Sequence, residues 1–316
     1  MNGQTIGVPV DFTVVERDRR IVSFCCDVVM YTGVDLASVP DAVTYVYETF
    51  LAACPRDTLR WYATENMTRH KAVTPRALDM LRGWLRPGAP PRDVINIHLK
   101  DGEHFDDASE YSFWVYGEEP GTPSHGAYAN VIRCAFPARW GMDNPDRLLA
   151  FTADACAHFP VQSGHAGLVL ETNRYAETTS ETAAWRLSMQ HPGLDIRNPI
   201  RDSMALQRDA IKGVNWLTIL GAEFVDRLGG AAAVRKRLPD SVLIHSVGEV
   251  LILQAGPGPR WGHVNRGDAL PDYRAVYQVV APLQAPAINR YTSFSMLGAD
   301  HWEKTEAWLR RFGDGR

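Results

Sequence analysis

Long apolar runs are missing from this 316-residue sequence. No stretch approaches the roughly 18 consecutive apolar residues that a membrane-spanning helix needs. The opening "MNGQTIGVPVDFTVVERDRR" has no basic segment leading into a sustained apolar one, so no secretory leader is expected. Cysteine is scarce as well. The five residues, Cys25, Cys26, Cys54, Cys134 and Cys156, are odd in number, include an adjacent pair and form no C-x-x-C, which argues against a disulfide framework and a zinc site. They read as small core residues of a protein in the reducing cytoplasm. Positive charge is in deficit, with 33 Lys and Arg against 37 Asp and Glu and a net charge of −4. A direct nucleic-acid binder carries a basic excess, so the expected partner is cationic and is not DNA or RNA.

Catalytic motifs are also lacking. There is no H-E-x-x-H, and "GTPSHG" has Thr122 where a G-x-S-x-G elbow needs glycine. The glycine-rich "QAGPGPRWGHVNRGD" (254–268) invites a nucleotide reading, but Gly256, Gly258 and Gly262 give G-x-G-x-x-x-G, one residue too long for a dinucleotide fingerprint. Pro257 and Pro259 have no N–H to offer a phosphate. A stiff loop with Trp261 as an anchor is expected there instead. His104 with Asp106 and Asp107 is the one cluster of would-be metal ligands, and a metal-dependent hydrolase built on it is an alternative reading. No catalytic residue, cofactor or metal is assigned, and no enzyme is expected.

What is present supports a sizeable core: 45% of residues are hydrophobic, including nine Trp, eleven Tyr and eleven Phe. "RIVSFCCDVVMY" (20–31) reads as a buried strand, followed by a helix from Pro40 with Asp35 or Ser38 as cap. A helix over 74–85 starts on Thr74, and strands at 94–99, 111–117 and 128–136 suggest an antiparallel meander. Asn144 caps a helix whose stripe is Leu148, Phe151, Ala155 and Phe159. Strands follow at 165–172 and 213–220, then a hairpin around Gly248 and a last helix opened by an Asp300–Glu303 capping box. The elements mix without a βαβ rhythm. An α+β fold with largely antiparallel sheets and packed helices is expected. The expected divisions are an extension at 1–19 and lobes at 20–175 and 176–316, of similar size, with one continuous domain as the alternative.

Between Asp101 and Glu119 lie seven acids and no Lys or Arg, around the aromatic run "YSFWVY". Glu103, Asp106, Asp107, Glu110, Trp114, Glu118 and Glu119, with Trp261, are therefore the expected contact residues for a basic partner. Reversal of Asp106, Asp107 and Glu110 to Lys is expected to leave the fold intact.

Several stretches carry a family resemblance, among them "LRWYATENMTRHKAVTPRALDMLRGWL" (59–85), "FPARWGMDNPDRLLAFTADACAHFPVQSGHAGLVLE" (136–171), "KGVNWLTILGAEFVDRLGG" (212–230) and "LILQAGPGPRWGHVNRGD" (251–268). From about residue 20 to 312 the sequence resembles type VI secretion immunity proteins. That resemblance implies a bacterial protein that binds and neutralises a cognate toxic effector, typically a nuclease of the restriction-endonuclease-like fold. It brings no catalytic residues. Occlusion of the effector's active site and blockade of its assembly are both compatible with it, and an effector chaperone or adaptor is a further alternative.

Overall fold

The computed structural model describes residues 11–196, 198–206, 208–268, 270–284 and 297–313. A short strand β1 (Val14–Glu16) turns through Arg17 and Asp18, both at positive φ, into β2 (Arg19–Thr32). Two left-handed residues match the hairpin twist of such a two-residue turn. Part of the expected 1–19 extension is thus paired to the sheet, and its first ten residues lie outside the described set.

Helix α1 (Pro40–Ala53) begins where the proline predicts, but neither Asp35 nor Ser38 caps it. The Asp35 carboxylate meets His125 Nε2 at 2.7 Å, and Ser38 Oγ donates to the Asp35 carbonyl. Val39 holds the cap position, and Pro40 has no N–H to satisfy. Strands β3 (Trp61–Thr64) and β4 (Lys71–Ala72) lead to the expected 74–85 helix, which is split into α2 (Pro75–Leu78) and α3 (Met80–Leu85). Thr74 does cap it, accepting from Ala77 N, and the break falls at Asp79, whose ψ of −5° departs from helical geometry.

The meander is present as β5 (Val94–Lys100), β6 (Ser112–Glu118) and β7 (Asn130–Pro137). After α4 (Ala138–Met142), α5 (Pro145–His158) is capped by Asn144, with Leu148, Phe151 and Ala155 turned inward. Next come β8 (Ser163–Thr172), α6 (Glu177–Gln190), β9 (Asp195–Ile196), α7 (Pro199–Leu206) and β10 (Leu217–Leu220), the last shorter than expected. Helices α8 (Ala222–Arg227) and α9 (Ala231–Arg237) precede the hairpin β11 (Val242–Val247) and β12 (Val250–Ala255). Helices α10 (Pro271–Val280) and α11 (His301–Leu309) close the described chain. Asp300 forms no capping box, because its carboxylate takes Lys304 Nζ at 2.8 Å instead.

Among the described residues twelve strands form one sheet, in the order β11-β12-β10-β8-β2-β7-β6-β5-β3-β4, with β1 on β2 and β9 on β8. All pairings are antiparallel except β8 with β9. This is an α+β fold. The pairing of β8 with β10 joins strands from both sides of residue 175.

The two faces of the central strands differ. Val22, Phe24, Cys26, Val28 and Met30 of β2 face the main core with Leu168, Ile132, Phe136, Phe113 and Ile97 from neighbouring strands. Helices α1 and α5 seal this side, with Phe50 and Phe151 ringed against Phe113 and Phe136. The alternate positions are mixed, with a smaller apolar cluster of Val29, Tyr31 and Val131 beside a group of polar residues. Ser23, Asp27, Arg133, Ser112, His98, Lys100 and Glu171 are all buried there, beneath the loop after β5 and the 195–206 segment. Strand alternation explains the split, since residues i and i+2 share a face.

Candidate functional site

The acidic stretch at 101–119 is not one surface. It contains β6, whose seven residues separate its ends by roughly 20 Å at the usual strand rise. Asp101 to Glu110 lie at the end of the sheet where β2 begins, while Glu118 and Glu119 lie at the end where β2 finishes.

At the first end most of the charge is engaged internally. Asp106 pairs with Arg19 Nε at 3.1 Å, and Glu110 with Arg20 Nη1 at 3.4 Å. Asp107 is buried and accepts from the backbone N–H groups of Arg20 at 3.0 Å and His104 at 2.8 Å. Burial opposes its charge, but those two donors hold the carboxyl below its ordinary range. Reversal of Asp107 would break this loop, so the expected tolerance of the triple reversal is corrected: only Asp106 and Glu110 are suitable. Glu103 is exposed.

At the other end Glu118 and Glu119 are both buried. Glu118 accepts from Tyr116 Oη at 2.7 Å, and Glu119 accepts from Leu36 N and Ala37 N at 2.9 and 3.3 Å. Burial pushes the Glu119 carboxyl up, against those two donors. Trp114 stacks on His98 with ring centres 4.5 Å apart and donates to Asn96 Oδ1. Trp261 is half-buried against Phe12 and Phe24, far in sequence from the acidic stretch. Of the eight expected contact residues, Glu103, Asp106 and Glu110 are the acids that reach solvent at one common place.

The polar face contains groups that motif reading passed over. His70 Nε2 meets His98 Nδ1 at 2.9 Å, and His70 Nδ1 meets Tyr175 Oη at 3.0 Å. The two histidines line a cleft of about 240 Å³ with Lys100, Arg174, Glu177 and Arg201, where acids and cations interleave. Arg133 is wholly buried, with Nε 2.7 Å from Asp27, Nη1 2.8 Å from Ser112 Oγ and 3.1 Å from Glu171. A second buried knot joins Lys212 Nζ to Asp195 at 3.0 Å and Asp202 at 2.9 Å, with His165 3.0 Å from Asp195. Burial works against the Asp195 charge, yet Lys212 and His165 hold its carboxyl far below the usual range. No local pattern announces these residues, because they come from strands, a helix and loops far apart in sequence.

The metal-hydrolase reading finds no constellation to support it. His104 Nδ1 is 3.6 Å from Asp107, but Asp106 turns to Arg19. Among the described residues no three of His, Cys, Asp and Glu gather in a way that could hold a metal ion. All five cysteines are free, and burial pushes Cys25, Cys26 and Cys134 well up and Cys54 and Cys156 to about 12. Such thiols are poor nucleophiles.

The 254–268 loop is fastened to the body. Trp216 Nε1 and Gln254 Nε2 both donate to the Gly256 carbonyl, Arg260 N donates to Tyr273 Oη, and His191 Nδ1 meets the Gly262 carbonyl at 2.8 Å. Gly193 lies so close that a Cβ there would fall 2.0 Å from the Arg260 carbonyl oxygen. Of its two exposed cations, Arg260 and Arg266, Arg260 is held by Asp268 at 2.8 Å. The loop is a rigid connection between β12 and α10.

The chain matches the family model TsiV, described as type VI immunity for VRR-NUC, over residues 42–312. Among solved structures it is similar to the Pseudomonas aeruginosa T6SS protein PA0821, at 21% identity and a TM-score of 0.78, over 94% of this chain and 83% of that one. No curated protein matches it in sequence. At that identity the structural likeness shows the shared fold, while the family match runs from the start of α1 to beyond α11. The chain belongs to the TsiV family of type VI immunity for VRR-NUC.

Proposed function

We propose that this immunity protein neutralises a nuclease effector by holding it in a stable complex in the cytoplasm and covering the cationic face with which the effector would grip DNA. The observation that carries this reading is the family match over residues 42–312. A nuclease holds phosphates with Lys and Arg, and a partner of net charge −4 is suited to meet that surface. Among the described residues no helix is long and apolar enough to cross a membrane, which fits a contact made in aqueous solution. The protein acts by binding rather than by catalysis. A complex that must not release an active nuclease calls for an interface on the order of 1,600 Å² or larger. Within the 101–119 stretch Glu103, Asp106 and Glu110 keep some exposure, but Arg19 and Arg20 already offset the charge of Asp106 and Glu110, which makes this end of the sheet a poor place for the main contact.

The test is co-expression of the effector with this protein, followed by gel filtration and a DNA-cleavage assay on the isolated complex. Restored growth, co-elution and a silent nuclease are expected. Continued killing with no complex would end the proposal. A complex that still cuts DNA would identify an effector chaperone instead.

A further inference from the structure

The geometry points to a docking groove for a lysine- or arginine-bearing segment of the effector, at the end of the sheet where β2, β8, β10 and β12 meet. This inference rests on the reading of the protein as a binder of a nuclease.

Tyr31, Ser163, Leu220 and Leu251 are paired in a row across these four adjacent strands. Just past that row four segments come together: 32–34, 156–162, 221–223 and 247–250. Together they enclose an open groove of about 600 Å³. Its lining is mostly apolar, with Phe159, Pro160, Val161 and Val247, and with Val34 at 37% exposure. Two carboxylates stand in its wall. Glu223 lies in the first turn of α8, and Glu249 sits at the tip of the β11–β12 hairpin, where Gly248 takes a φ of 58° to make the two-residue turn. Both are exposed, and among the described residues no Lys, Arg or His lines the groove with them. Glu223 receives one long contact, from Gln162 Nε2 at 3.5 Å. Arg208 packs beside Gly33 but directs its Nε to the Tyr128 carbonyl.

This contrasts with the opposite end of the sheet, where Asp106 and Glu110 already have arginines. An apolar floor with uncompensated carboxylates matches a Lys or Arg side chain, whose aliphatic stem lies along apolar surface while its head meets charge. A nuclease necessarily displays such side chains where it grips phosphates. The groove is also built to keep its shape. Gln162 N donates to the Tyr31 carbonyl and Gly221 N to the Gln162 carbonyl, both at 2.8 Å. A Cβ on Gly221 would come within 2.6 Å of the Val161 carbonyl oxygen, so the corner is closed to other residues. A preformed site loses little on ordering when its partner arrives.

The experiment uses the full chain and the purified effector, with binding measured by biolayer interferometry at low and high salt. Glu223→Lys with Glu249→Lys should weaken binding by roughly 30-fold or more at low salt, because like charges are brought together at a contact. Glu103→Lys with Glu110→Lys, at the far end, should change it by less than about threefold. Thermal melting checks that each variant is folded. Should the reversal disturb the fold, Glu223→Gln with Glu249→Gln is expected to weaken binding by about three- to tenfold and flatten its salt dependence. If the wild-type chain binds and neutralises while the groove variants keep its affinity, the docking site falls and the immunity reading stands. If the wild-type chain forms no complex, the reading and the groove fall together.

Discussion

Arg133 sits at zero exposure between Asp27 and Glu171, three charges contributed by β7, β2 and β8. Taking charges out of water is costly, and their attraction offsets that cost only while the set is complete. Arg133→Met keeps the bulk but leaves Asp27 buried without its guanidinium partner. A loss of about 3–5 kcal/mol is expected in urea unfolding, and an unchanged midpoint would remove the network from any account of stability. Asp101 gives a separate test through pH. Burial is the largest influence on its carboxyl and pushes it up to about 6 against its ordinary 3.8, despite Arg20 and the Glu110 N–H. A raised carboxyl favours the folded state when protonated, so its contribution is complete below about pH 4 and is lost as pH rises through 6. Asp101→Asn keeps an acceptor for the Glu110 N–H. It should flatten the pH dependence of stability between about pH 4 and 6 relative to wild type. Parallel curves for the two proteins would contradict the assignment.

Helix ends show what local sequence can and cannot specify. Asn144 and Asp300 both precede helices and both look like caps. In the fold Asn144 accepts from Arg147 N at 3.2 Å, while Asp300 faces Lys304 on the exposed helix surface. Asn144→Ala should therefore cost about 1 kcal/mol, and Asp300→Ala clearly less, because an exposed i,i+4 pair contributes little. Equal losses in urea unfolding would show that the two ends are not distinguished in this way. Short-range chemistry was readable in the same sense elsewhere: the strand at 20–31, the helix from Pro40, the meander and the Gly248 hairpin all appear within a few residues of their expected bounds. Each depends on β-branched runs, proline or glycine acting on its neighbours. The polar face was hidden because Asp27, Arg133 and Glu171 become adjacent only through pairings that span over a hundred residues. The acidic stretch misled for the converse reason. Its members are close in sequence, but β6 carries the two groups to opposite ends of the sheet. Glu249 was in view as part of a turn, yet nothing local placed it beside Glu223.

At the scale of the whole molecule, the β8–β10 pairing joins chain segments on either side of residue 175 through four registered residue pairs, and β8 is itself paired along β2. The main core mixes both segments as well, with Phe12 and Phe24 ringed against Trp261 and His191. Separating the two would leave β8 with an open edge and strip β10 of one of its two neighbours, so each segment is expected to lose part of its core if the other unfolds. We therefore expect the full chain to unfold in a single cooperative step, with far-UV circular dichroism and tryptophan fluorescence tracing coincident urea transitions. Two resolved transitions would instead establish separate lobes meeting at 175–200. The outcome bears on immunity directly. The groove takes 32–34 and 156–162 from one side of that boundary and 221–223 and 247–250 from the other. A cooperative chain cannot lose either side without losing the docking surface, so destabilising substitutions remote from the groove, such as Arg133→Met, should reduce protection in proportion to the folded fraction they leave.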